Sequence, residues 1–332
     1  MRSIKVILPL LLLLTALFSC NKELNVNANW KDITVVYGLL DQSADTTYIK
    51  ITKAFLGPGD ALKFAKIADS STYPDKLEVK LDEYNGSLFV NSYFCDTITI
   101  RNKQKGDSIF YYPNQLMYYT KAKLNENYRY NLYIRNIKTG KLITSQTLLI
   151  HDFEIMRPQI NSLITFTPGG HMTEVRWAPA KNAKRYQLMI RFFYVEFPKS
   201  GVQKKDTNYI DWVVDNKIMA LDAQSTQPFD QYFPDDGFYS VVGGLIDTTT
   251  VLTRVAYKCQ FIFSVASDTL NTYMEVTEPS LSLVQEKPAF TDINNGLGLF
   301  SSRYTKVVDS IFPSAQTKAF LKVNHYTVGH GF

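Results

Sequence analysis

Cysteine and histidine are scarce in this chain of 332 residues, with 3 of the first and 4 of the second. That excludes a disulfide-stapled scaffold, and no Cys or His pair has the spacing of a zinc site. No H-E-x-x-H or G-x-S-x-G motif occurs, and His151-Asp152, as strand neighbours, would point to opposite faces. Charge is sparse as well. The formal net charge is +5, its basic residues are scattered, and Arg2 and Lys5 sit at the extreme N-terminus. No basic stripe suits nucleic acid, and no metal or cofactor motif is present. Long apolar runs are missing after the first twenty residues, so no later stretch reads as a transmembrane helix.

The one apolar run sits at the start. Met1 to Lys5 is a short basic head, Val6 to Leu14 is aliphatic apart from Pro9, and Leu17-Phe18-Ser19-Cys20 closes the stretch. This is the order of a secretory signal peptide, too short to span a bilayer comfortably. The closing cysteine resembles a bacterial lipoprotein signal, although Phe18 stands where a smaller residue is usual. The resemblance implies cleavage after residue 19, lipidation of Cys20, and anchoring to a membrane through acyl chains. Residues 20–32 then read as a tether.

Aromatics make up 14% of the chain, and Thr, Val and Ile are plentiful between them, which favours strands. Ile33 to Leu40 reads as a buried strand, and Ile49 and Ile51 mark the inner face of the next. Leu77, Val79 and Leu81 alternate inward before the hairpin turn Asn85-Gly86. Tyr130 enters an alternating strand shortly after Leu124, a pattern in which a buried tyrosine holds a sandwich corner. Arg157-Pro158 marks a boundary. Beyond it Trp177 ends one strand, and Tyr186, Leu188 and Ile190 line the next. The segment from 222 to 232 reads as a short helix or irregular insert, and Phe233 to Gly237 as a turn. Tyr257 to Ala266 is a strand with Cys259, Phe261, Phe263 and Val265 on one face, and a helix begins near Ser267. Cys95 and Cys259 read as buried thiols. The glycines of Asn294 to Phe300 lack the lysine of a phosphate loop and read as a tight entry to the last strand. The end, Val328 to Phe332, reads as frayed.

The stretch around Trp177 resembles the second and third strands of a fibronectin type III domain. With the cysteine-ended signal, Val35-Val36-Tyr37-Gly38 and Asn294-Asn295-Gly296-Leu297-Gly298-Leu299-Phe300, the chain resembles an uncharacterised family of Bacteroidota envelope lipoproteins. The expected architecture is mainly β. Two immunoglobulin- or fibronectin type III-like sandwiches, 33–156 and 157–308, follow the signal and tether, with a tail at 309–332. The resemblance implies an outer-membrane location, on the periplasmic or surface face, beside TonB-dependent transporters.

The expected function is a non-catalytic binding or assembly module accessory to such a transporter. Two alternatives stand beside it: a surface glycan-binding lipoprotein, and a hydrolase without a recognisable site motif. The aromatic clusters Tyr111-Tyr112, Tyr118-Tyr119 and Tyr232-Phe233 are the candidate ligand contacts, because exposed rings on a sandwich stack on sugars.

Overall fold

Alternating apolar side chains pair into strands because a pleated backbone sends successive residues to opposite faces. A computed structural model describes residues 31–56, 63, 67, 71–101, 114–199, 206–220, 226–278 and 290–332. The signal, Cys20 and most of the tether lie outside these residues. The described chain is mainly β. In its first part come β1 (Lys31–Leu40), β2 (Thr47–Leu56), β3 (Glu78–Asn85), β4 (Leu88–Phe94), β5 (Asp96–Ile100), β6 (Gln115–Thr120), β7 (Arg129–Arg135) and β8 (Leu142–Leu148). Then follow β9 (Ile155–Arg157), β10 (Leu163–Ile164), β11 (Met172–Trp177), β12 (Arg185–Pro198), β13 (Asp206–Met219) and β14 (Phe229–Pro234). The last part holds α1 (Asp236–Leu245), β15 (Leu252–Ala266), α2 (Asp268–Thr277), β16 (Gly296–Pro313) and α3 (Ala315–Val323).

One sheet runs through the described structure in the order β13-β12-β15-β16-β1-β2-β6-β5, with β10 also on β16. A four-stranded sheet, β4-β3-β7-β8, packs against its N-terminal half, and a three-stranded sheet, β14-β11-β9, faces its other half. Two cores result. Val36, Ile49, Leu81, Tyr130, Leu132 and Phe300 belong to the first, and Trp177, Tyr186, Ile190, Phe261, Phe263 and Phe238 to the second. The inward apolar residues Val79 and Leu81 of β3, Tyr186, Leu188 and Ile190 of β12 and Cys259, Phe261, Phe263 and Val265 of β15 are those that the alternation indicates.

β16 joins the cores. Its first residues, Gly296 to Ser302, pair in parallel with Thr34 to Leu40, and Arg303 to Ile311 pair antiparallel with β15. The glycines make this possible. Gly298 has φ +110° and lies so close to β1 that a Cβ there would meet the Val36 carbonyl oxygen at 2.0 Å. Asp292 folds back to accept hydrogen bonds from the Phe300 N–H and the Ser145 hydroxyl. Burial raises its carboxyl pKa despite those donors.

Buried tyrosines hold the corners. The Tyr130 hydroxyl accepts from the Asn125 N–H at 2.7 Å and donates to the buried carboxylate of Glu83. The Tyr186 hydroxyl accepts from the Ala180 N–H at 2.7 Å. Each bond occupies a backbone donor that burial would otherwise leave unmet. Cys95 and Cys259 are free thiols, and burial pushes both up, Cys95 to about 12.

Three expectations are corrected. Phe229 to Pro234 is a strand, not a helix or insert, because its backbone completes the edge beside β11. The acidic pair after it opens α1 rather than a simple turn: Asp235 accepts from the Thr167 N–H and the Thr173 hydroxyl, and Asp236 from the N–H groups of Gly169 and Gly170. The chain end is packed, not frayed. Arg254, itself buried, donates to the His330 carbonyl and pairs with Glu196 at 2.7 Å, while Phe332 lies against Phe192 and Tyr194.

A polar latch fastens the segment between the cores. Gln42 donates to Glu126 at 2.7 Å and to the Ile150 carbonyl at 2.9 Å, and the Asp152 N–H donates to Glu126 at 2.8 Å. Lys306 and the Tyr304 hydroxyl hold the Asp152 carboxylate at 2.6 and 2.9 Å. Burial pushes the carboxyls of Glu126 and Asp152 upward, but these donors outweigh it and both lie below their ordinary values. His151 is lowered by burial against the opposing pull of Glu126.

The signs agree. Depressed carboxyl pKa values stabilise the fold above the unfolded-chain value and lose that contribution as pH falls through the folded one. A depressed histidine favours the unfolded chain once pH drops below about 6.5. The urea midpoint is therefore expected to fall between about pH 6.5 and pH 3, first as the histidine protonates and then below about pH 4.5 as the carboxylates do, and Glu126→Gln to flatten the part below about pH 4.5. A wild-type midpoint that holds steady across this range would contradict the latch.

Candidate functional site

The two cores leave a cleft of about 800 Å³ between them, within the range of ligand sites. One wall comes from the first core: Gly86 in the β3–β4 turn, Asn127, Arg129 on β7 and Gln146 to Leu148 on β8. The other comes from the second: Asn182 to Lys184, Ala220 and Ser267 to Thr269 at the start of α2.

Local structure sets these groups in place. Asn182 adopts φ 65°, a left-handed conformation that asparagine tolerates, and its amide donates to the Leu149 carbonyl at 2.7 Å across the junction. The Lys184 backbone is held on both sides, its N–H to the Ala266 carbonyl and its carbonyl to the Ala220 N–H, each at 2.9 Å. Ser267 caps α2, and its hydroxyl shares a 2.6 Å hydrogen bond with Ser301. The Arg129 guanidinium lies over the Tyr84 ring at 5.3 Å.

The cleft thus offers donors from Arg129, Lys184, Asn127 and Asn182, and acceptors from Asp268, Gln146 and Thr147. Its serine hydroxyl is bonded to another serine rather than to a base. Such a lining hydrogen-bonds a polar partner, and its two charge signs serve orientation as well as attraction. Among the described residues no group of three or more His, Cys, Asp or Glu gathers as a metal ion requires.

A second concavity, about 470 Å³, lies on the outer face of the long sheet beside α2. Tyr37 on β1 and Tyr48 on β2 are 40% and 47% exposed and line it together with Tyr273 and Met274 of α2. Tyr37 meets Tyr273 edge to face at 6.2 Å, and Tyr48 meets Tyr119 at the same centroid distance. Arg303 also lines it, its guanidinium 3.9 Å from the buried carboxylate of Asp41.

The expected ring contacts separate. Tyr111 and Tyr112 lie outside the described residues. Tyr118 is 1% exposed, and its hydroxyl accepts from the Leu77 N–H at 2.8 Å, so it is a core residue. Phe233 is likewise buried, edge to face with Trp212 at 5.2 Å. Tyr119, half-buried, faces the groove side against Tyr48. Tyr232 is exposed on β14, its hydroxyl 3.4 Å from Glu174. Adjacent strand residues cannot share a face, so each of the two described pairs puts one ring in and one out.

Sequence reasoning missed Tyr37, Tyr48, Tyr273 and Arg303. A signal for two of them was present: Tyr37 and Tyr48 stand out of phase with Val36, Leu40, Ile49 and Ile51, the residues that alternation sends inward. Comparison of the chain with protein-family models and with curated proteins returns no match.

Proposed function

We propose that this chain is a non-catalytic binding module of the cell envelope, lipid-anchored at Cys20 and built from two immunoglobulin- or fibronectin type III-like sandwiches. The cleft between the cores carries the reading. It is lined by hydrogen-bonding side chains from both walls, which the shared strand and the latch keep in fixed relation.

The fibronectin type III part is supported by strand order. β9-β11-β14 opposes β13-β12-β15-β16, and Trp177 ends the middle strand of the smaller sheet. The envelope part rests on the signal and on the family resemblance, from which the outer membrane and an accessory role to a transporter follow as expectations.

The test is a pull-down of the full-length protein from its native envelope in detergent, beside Cys20→Ala and a cleft variant, Arg129→Glu with Lys184→Glu. The expected result is a transporter barrel retained by the wild type, lost with the charge-reversed cleft, and a Cys20→Ala protein that no longer partitions with membranes. A barrel retained equally by the cleft variant removes the cleft from the interface. A Cys20→Ala protein that stays membrane-bound removes the anchor. A second reading, surface glycan binding, is favoured by one observation, the exposed rings of Tyr37 and Tyr48 beside a concavity.

A further inference from the structure

We infer that the groove between α2 and the outer face of the long sheet is a saccharide site, with Tyr37 and Tyr48 as stacking platforms and Arg303 as the hydrogen-bonding end. The inference rests on the second reading above and is independent of the junction cleft.

Four observations converge. Both platform rings keep much of their surface in solvent although they belong to strands at the centre of the sheet, where the backbone is fixed on both sides. Each ring is braced by another, Tyr37 by Tyr273 and Tyr48 by Tyr119, so a ligand orders little that is not already ordered. The hydroxyls of Tyr37 and Tyr273 converge to 3.4 Å, which gathers two phenol oxygens at one place in the groove. Finally, Arg303 keeps over half of its side chain exposed, and Asp41 beside it accepts from the Ser43 N–H at 2.9 Å.

A pyranose presents the matching chemistry. Its axial C–H bonds form an apolar face for a tyrosine ring, and its hydroxyls ring the edge where phenol and guanidinium groups stand. A purely apolar ligand would leave the paired phenols and the guanidinium without new partners. The volume of about 470 Å³ admits a short stretch of sugar rings.

The test is affinity electrophoresis of the full-length protein in detergent through native gels containing starch, xylan, mannan, mixed-linkage β-glucan or polygalacturonate, followed by titration calorimetry with the matching oligosaccharide. Tyr37→Ala and Tyr48→Ala are the test variants. Tyr209→Ala, exposed on the same sheet outside the groove, is the control. Retardation of the wild type by at least one polysaccharide is expected, with affinity about tenfold weaker or worse in each groove variant and unchanged in the control. Melting temperatures establish that the variants are folded. If a polysaccharide retards the wild type and both groove variants alike, the groove is wrong while glycan binding survives. If no polysaccharide retards the wild type, both are overturned.

Discussion

Gly298→Ala is expected to lower the stability of the fold by roughly 3–5 kcal/mol, combining a forbidden backbone angle with an overpacked contact. The φ of +110° is one that an L side chain rarely adopts, and the added Cβ would meet the Val36 carbonyl oxygen at 2.0 Å. That oxygen belongs to the backbone of β1, which is paired on its other side with β2, so it cannot retreat without breaking one of two ladders. Gly86→Ala is the matched control. Its φ is +61°, but nothing lies within 4 Å of a new Cβ, so it bears strain without collision. The control should cost about 1 kcal/mol. Urea titrations of both variants decide the matter: equal midpoints would mean that the approach of β16 to β1 is looser than described.

Trp177→Ala should cost about 3–5 kcal/mol, the range for removing a large aromatic from a packed interior. The indole is fully buried, stacks on Phe229 at 5.0 Å with an interplanar angle of 10°, and lies edge to face with Phe263 at 5.2 Å. It links the smaller sheet to the larger, so its loss opens a void between layers rather than at a rim. Its Nε1 has no hydrogen-bond partner among the described residues, which makes Trp177→Phe the informative companion. That variant deletes an unmet donor and keeps a stacked ring, and should cost less than about half as much. Thermal melts of the two that coincide would show that volume at this position matters less than its chemistry.

The parts of the fold legible from sequence were those in which pairing is local and one face is buried. β3, β12 and β15 announced their inner faces because every second residue is large and apolar, and the Asn85-Gly86 turn fixed a hairpin. Asp82 and Glu83 broke the pattern: both are buried, one bonded to Lys80 and Ser92, the other to Tyr130 and Tyr93. Alternation alone carries no sign of such partners. The parallel pairing of β1 with β16 joins opposite ends of the chain, and no periodicity within either strand encodes it. β14 went unread because only its ladder with β11 makes a strand of the polar Phe229–Pro234. The groove was half legible, through the phase of Tyr37 and Tyr48. Its other wall depends on where α2 comes to rest.

The shared strand has a mechanical meaning. Chain preceding Lys31 enters the structure along β1, and β16 leaves the same parallel pair into the second core. A pull on the N-terminal side, resisted at the second core, draws the two strands in opposite directions along their common axis. The seven aligned residue pairs, from Thr34 with Gly296 to Leu40 with Ser302, then bear load together instead of parting one by one. Tension therefore passes from the entry strand directly into the far core, and rupture requires the whole register to slide at once.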